Sequence, residues 1–192
     1  MKEALSTVAV IVAIVSYIPY IRDMIARKTR PSAITWCIWA LLTGIAFFAQ
    51  LSDGAGVGAV ALGVTTVISV GIFLGSLRVG SRFIARVDWY FMIASLLALC
   101  AWWVTDGPLL SVILITIIDG FAYAPTVRKT YVDPYSETLI THFLSGIKFM
   151  LVIAALESYT VITVLYPLFL VFANCFFTAL VLVRRRSVPP TV

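Results

Sequence analysis

The fold class predicted by this sequence is an all-α membrane protein: seven transmembrane helices forming two parallel three-helix repeats joined by a linker helix. Three observations predict it. Of 192 residues, 61% are apolar and 12% charged, and the mean hydropathy is +1.05, well outside the balance of a water-soluble domain. The apolar residues gather into seven runs close to the roughly 20 residues that a helix needs to cross a hydrocarbon core about 30 Å thick. One spacing, Tyr-x-Pro-x-x-Arg, occurs twice, at Tyr17, Pro19 and Arg22 and again at Tyr123, Pro125 and Arg128. Each copy closes an apolar run, passes through a short polar loop to a serine, Ser32 or Ser136, and leads into another run.

The seven expected spans are Ala4 to Ile21, Ile34 to Leu51, Ala55 to Leu77, Trp89 to Val104, Leu109 to Ala124, Thr138 to Leu156 and Val161 to Val183, the fourth and fifth being the short ones. They divide the chain into a first repeat over 1–77, a basic loop and linker helix over 78–104, a second repeat over 105–183 and a tail over 184–192. Three helices reverse the chain's direction and a fourth restores it, so both repeats point the same way. Lysine and arginine set the orientation. Arg22, Arg27, Lys28 and Arg30, then Arg78, Arg82 and Arg86, then Arg128 and Lys129, and finally Arg184 to Arg186 occupy alternate gaps and the tail, whereas the opposite gaps carry only Asp53, Asp106 and Glu157. The positive-inside rule places the N terminus outside and the C terminus in the cytoplasm. The net charge of +5 is accordingly a topology signal with a secondary attraction to anionic lipid, and no mark of a nucleic-acid partner.

The first run is too long for a signal peptide and lacks a small-residue cleavage pattern. Pro19 falls in its last turns, where it removes a backbone donor and disturbs the Val15 carbonyl; it either ends the span or acts as a hinge, and its duplicate at Pro125 favours the hinge. A carbonyl freed in this way persists only beside protein or a watery cavity, so both prolines are expected to face inward. In the second run Trp36 and Trp39 share one helical face, as interfacial anchors or as rings for a solute to stack on. After the external turn at Ser52, Asp53 and Gly54, the third run carries Gly56, Gly58, Gly63, Gly71 and Gly75 with Thr65, Thr66 and Ser69 at its middle, a composition for close helix packing or for lining a cavity. The fourth opens with Trp89 and Tyr90 and closes with Trp102 and Trp103, which describes a lipid-facing anchor.

Ionisable side chains well inside the spans are confined to Asp119 in the fifth and His142 and Lys148 in the sixth, and such groups are costly in lipid unless paired or hydrated. Asp119 and His142 fall at similar depth, and Lys148 can reach towards them along its stem. A static pair holding two helices together and a proton or substrate relay both remain open. The seventh run adds Pro167 and Asn174, the sole asparagine, whose amide can bond a neighbouring helix or a polar solute. Cys37, Cys100 and Cys175 are odd in number, lack ligand spacing and read as small packing residues. No Asn-x-Ser/Thr sequon occurs, which leans towards a bacterial cytoplasmic membrane.

On these motifs the chain resembles the PQ-loop superfamily, which includes the SWEET sugar transporters and the cystinosin-like amino-acid exporters. The likeness covers nearly the whole chain: seven spans, a three-plus-one-plus-three plan, an outside N terminus, and a tyrosine-x-proline element closing the first helix of each repeat. The family dipeptide is Pro-Gln, whereas here Pro19-Tyr20 and Pro125-Thr126 stand in its place. The resemblance implies transport by alternating access, with Asn174 matching the solute-binding asparagine of the last helix, Thr66 and Ser69 facing it from the third, and Trp36 and Trp39 on a pocket-lining helix. A non-transporting receptor or assembly partner is the alternative, since the KDEL receptor resembles the same fold group.

An intramembrane enzyme built on Ser145 and Lys148 is disfavoured, because no second catalytic group accompanies them. The expected protein is therefore a carrier of a small sugar or amino acid, open to proton coupling through Asp119 with His142 or Lys148, and hinged at Pro19 and Pro125 beside Tyr17 and Tyr123. It would need no cofactor or metal, its partners are the solute and membrane lipid, and oligomerisation is not required.

Overall fold

The computed structural model describes residues 2–52, 56–79, 85–104 and 108–189. It is all-α, with helices α1 (Lys2–Ile25), α2 (Ala33–Ser52), α3 (Val60–Val79), α4 (Arg86–Trp103), α5 (Pro108–Val132), α6 (Leu139–Ala155) and α7 (Val161–Ser187). Four of them, α1, α3, α5 and α7, are long and apolar enough to cross a membrane. The expectations on Asp53, Gly54, Arg82 and Asp106 lie outside the described residues, as do those on the side chains of Trp102 and Trp103.

Each apolar run became a helix, with three differences at the ends. The third starts as a 3-10 turn over Gly56–Ala59 before α3 proper. The first and fifth extend past their prolines, α1 to Ile25 and α5 to Val132, so the fifth is one of the longest helices rather than a short one. An interior proline removes one hydrogen bond without preventing the next turns from forming, and the basic side chains Arg22 and Lys129 in those turns suit the negative end of the helix dipole. Beyond α1 the chain turns at Arg27, whose φ of 57° is the left-handed conformation that commonly closes a helix. At the start of α7, Thr160 and Thr163 form a reciprocal capping box.

α3 packs on both α1 and α2, and α7 packs on both α5 and α6. Between these triplets α1 meets α6 and α2 meets α5, while α4 lies against α5 and α2. Small residues permit the close approaches: at Gly63 an added methyl group would lie 2.9 Å from the Phe47 ring of α2. The outer surface is apolar, with Ile11, Val67, Phe172 and Phe176 exposed, while Ser16, Thr65, Ser69, Asp119, His142, Lys148 and Asn174 are buried. That is the reverse of a soluble protein's arrangement. Trp89 and Tyr90 face outward on α4. Cys100 and Cys175 are also exposed and Cys37 is half-buried, so two of the three cysteines expected to fill packing gaps sit on the outer surface.

One end of the bundle is tied by charge. Arg128, the arginine of the second Tyr-x-Pro-x-x-Arg copy, clamps Asp88 at the start of α4 with bonds of 3.1 and 2.8 Å, and the Asp88 carboxylate also accepts from the Ala85 amide. Arg22, its counterpart in the first copy, only meets the adjacent Asp23 and is exposed. The loops that follow α1 and α5 interlock here. Arg30 N–H donates to Ser136 O at 3.1 Å, the Thr29 and Thr138 hydroxyls meet at 2.5 Å, and Thr138 donates to Asp23 at 3.2 Å.

Candidate functional site

A helix shows a neighbour the residues three and four apart, and four helices each turn such a stripe of polar and aromatic side chains to the middle of the bundle. α2 contributes Trp36, Trp39 and Thr43, α3 Thr65 and Ser69, α6 Thr141, His142, Ser145 and Phe149, and α7 Tyr166, Leu170 and Asn174. Tyr17 of α1 and Tyr123 of α5, the tyrosines of the repeated motif, complete the wall. The side chains surround a cavity of about 420 Å³.

An aromatic layer lies on the side nearer the basic end. Ring centroids run from Tyr20 to Trp36 at 5.0 Å, to Trp39 at 5.0 Å and to Tyr123 at 4.8 Å, then to Phe177 at 6.2 Å and from it to His142 at 4.2 Å. The Trp36 indole N–H donates to Tyr20 Oη at 2.9 Å. Both tryptophans therefore lie inside the bundle. Pro19 is half-buried in α1 and Pro125 buried in α5. In the turn before Pro125, Thr35 Oγ1 of α2 donates to Ala122 O at 2.9 Å.

Asn174 is buried, donates to Leu170 O at 2.8 Å and borders the cavity. Ser69 borders it as well. On α3 the cavity-facing threonine is Thr65. Thr66, about 100° further round the helix, bonds back to Leu62 O at 2.9 Å and turns its methyl group to Gly44 of α2.

Lys148 is wholly buried behind the wall. Its Nζ donates to Thr65 Oγ1 at 3.2 Å and Tyr17 Oη at 3.4 Å and lies 4.0 Å from the Phe149 ring centre. Asp119 is equally buried; the Trp39 indole and the Tyr166 hydroxyl face its carboxylate as polar neighbours, without well-formed hydrogen bonds. Among the described residues no ion pair involves Asp119 or Lys148. The structure thus separates the three intramembrane charges considered from sequence: Asp119 stands at α2 and α7, Lys148 at α1 and α3, and His142 beside Glu137. Ser145 is not a hydrogen-bond partner of Lys148.

Glu137 belongs to the loop before α6 and is 2% exposed. One carboxylate oxygen accepts from Lys129 and the other lies 3.8 Å from His142 Nε2. Burial alone would raise this carboxyl; Lys129 and His142 outweigh it and hold Glu137 below the ordinary carboxylate value. Sequence reasoning missed Glu137, Thr43, Thr141 and Tyr166; it named Thr65 beside Thr66 and Ser69 without choosing between them, and considered Ser145 only as a partner of Lys148. For the hydroxyls the signal was present as four-residue spacing, Thr65 with Ser69, Thr141 with Ser145, and Tyr166 with Asn174 through Leu170. Glu137 had no such signal, because a glutamate in a polar loop reads as solvated. Compared with family models, curated proteins and solved structures, the chain matches none.

Proposed function

We propose that this protein carries a small zwitterionic solute, of the size and charge of a short amino acid, across a membrane by alternating access. The observation that carries the reading is the pair of opposite charges, Lys148 and Asp119, each buried directly behind the lining of one central cavity, Lys148 behind Tyr17 and Thr65 and Asp119 behind Trp39 and Tyr166, and without an ion-pair partner among the described residues. Buried charged groups are ordinarily paired, and buried polar groups without hydrogen bonds mark places where a ligand or water completes the site. The solute's carboxylate meets Lys148 with the hydroxyls of Tyr17 and Thr65. Its ammonium meets Asp119. Trp36, Trp39, Ser69 and Asn174 line the space between.

In this reading all seven helices span the membrane, the basic end lies in the cytoplasm and the N terminus lies outside. The matching packing of α3 between α1 and α2 and of α7 between α5 and α6 supports two three-helix repeats, with α4 as the linker. Pro19 and Pro125 are the hinges, and the interlocked loops at the basic end form a closed inner gate.

The test is uptake in proteoliposomes of alanine, serine, glycine and glucose, with and without an acidic exterior, beside Lys148→Met and Asp119→Asn. Uptake of amino acids but not glucose, lost in both variants, is the expected result. Glucose uptake that survives Lys148→Met would overturn the zwitterion assignment, and a wild type that moves none of the four solutes would turn attention to the receptor alternative.

A further inference from the structure

The mechanism above leaves Glu137 unused, although it is a buried carboxylate joined to residues of both repeats. On one side it borders a groove of about 910 Å³ that is open at the basic end and also lined by Asp23, Lys28 and Arg185. On the other side stands His142, which borders the central cavity. The two cavities therefore meet at this pair of side chains. Glu137 Oε2 and His142 Nε2 are both buried and 3.8 Å apart, beyond well-formed hydrogen-bond distance, with the Tyr20 phenol as a further polar neighbour of the carboxylate. Two complementary groups at that separation need only about 1 Å of movement to share a proton.

We infer that Glu137 and His142 form a proton-transfer site linking the central cavity to the groove at the basic end, and that it couples solute movement to a proton; the coupling rests on the carrier reading. A proton taken up by the imidazole from the cavity passes from Nε2 to Glu137 Oε2 and leaves into the groove. Neutral imidazole and carboxylate are restored, so the cycle balances.

The surroundings keep the carboxylate ionised, so that a proton received from the imidazole is held only briefly before it leaves. Lys129 of α5 bonds its other oxygen, and Arg185 of α7 donates to the Glu137 main-chain oxygen at 3.0 Å. Tyr20 of α1 and Tyr123 of α5 are its titratable neighbours on the cavity side, and Asp23 reaches the neighbouring Thr138 at 3.2 Å. Phe177 of α7 packs on the imidazole at 4.2 Å. No cation other than Lys129 touches the carboxylate among the described residues, and Lys129 is also held by the Arg30 carbonyl.

His142 is the only histidine in the chain, so nitrogen-15 NMR of histidine-labelled full-length protein in nanodiscs reads this imidazole alone. In wild type, the Glu137 carboxyl carbon is expected to show a second step at the pH where His142 titrates, as a coupled pair must. Glu137→Gln, which keeps a hydrogen-bonding partner for Lys129, is expected to change the pH profile of the His142 nitrogen-15 shifts, because a charge 3.8 Å from Nε2 is removed. Superimposed His142 curves in wild type and variant, or independent single steps in wild type, would overturn the pair.

For coupling, alanine is the probe. An acid-outside gradient of one pH unit can drive about tenfold accumulation when one proton accompanies each solute. The ratio of gradient-driven uptake to alanine exchange is expected to fall about tenfold in Glu137→Gln, and an unchanged ratio would overturn the coupling. A wild type that moves no alanine while its His142 titration depends on Glu137 would sink the carrier reading and the coupling but leave the proton pair standing.

Discussion

Replacing Lys148 by methionine separates function from stability. The ammonium makes two long contacts, 3.2 Å to Thr65 Oγ1 and 3.4 Å to Tyr17 Oη, and lies over the Phe149 ring at 4.0 Å. Hydrogen bonds to a charged group contribute about 1.5–3 kcal/mol at good geometry, and a desolvated cation–π contact about 2 kcal/mol; at these lengths the sum is about 3–5 kcal/mol. Against it stands the burial of an ion with no counter-ion, an effective penalty of several kcal/mol. Methionine keeps the apolar stem and removes the charge. It also orphans no threonine, because Thr65 donates to Ala61 O at 2.8 Å with or without the lysine.

Lys148→Met should therefore unfold within about 2 kcal/mol of wild type, in either direction. Losing one partner of a buried charge pair with the solute should meanwhile cost about 2–5 kcal/mol, or at least about 30-fold in alanine uptake per folded molecule. Thermal unfolding of the purified protein in detergent gives the first quantity and proteoliposome uptake the second. A variant destabilised by more than about 3 kcal/mol whose folded fraction transports normally would refute the reasoning and make Lys148 a static pin.

Three further outcomes follow from the geometry. Trp36→Phe and Tyr20→Phe each break the 2.9 Å indole-to-phenol bond; each should destabilise by about 1 kcal/mol, and the double variant by clearly less than the sum, read from a double-mutant unfolding cycle. Glu137, held below its ordinary value of 4.5 in the fold, returns to that value on unfolding. Its stabilisation should therefore be complete above about pH 4.5 and lost as pH falls through the folded value, and Glu137→Gln should flatten that acid limb in unfolding curves taken against pH. Pro19→Ala and Pro125→Ala restore a backbone donor inside α1 and α5. Both should leave unfolding unchanged or shifted upward while lowering uptake per folded molecule, and equal losses of folded protein and uptake would make the prolines merely structural.

What the sequence determined by itself was the class and the lengthwise plan. The helices appear where the apolar runs lie, because partition into an apolar phase adds up residue by residue along a window and does not depend on which neighbour a helix meets. The basic end could be read for the same reason, since Arg22, Arg30, Arg128 and Arg184 fall at like ends of helices whatever their rotation. Part of the cavity wall could be read as polar or aromatic interruptions of apolar runs, since such groups turn inward: Trp36, Trp39, Ser69 and Asn174 were expected beside a solute, whereas Tyr17 and Tyr123 were expected beside hinges and His142 as a buried charge.

Only the tertiary structure decided pairing. Whether Thr65 or Thr66 reaches the cavity is a matter of one 100° step, set by how α3 packs between α1 and α2. Lys148 meets Tyr17 and Thr65 rather than Asp119 because α6 packs on α1 and α5 packs on α2, an arrangement that places the two charges behind different walls. Glu137 became a buried partner of Lys129 and His142 because two loops more than 100 residues apart interlock over it, as Arg30 to Ser136 and Thr29 to Thr138 record. Contacts at that separation depend on the closure of the whole bundle, which no local window of sequence encodes.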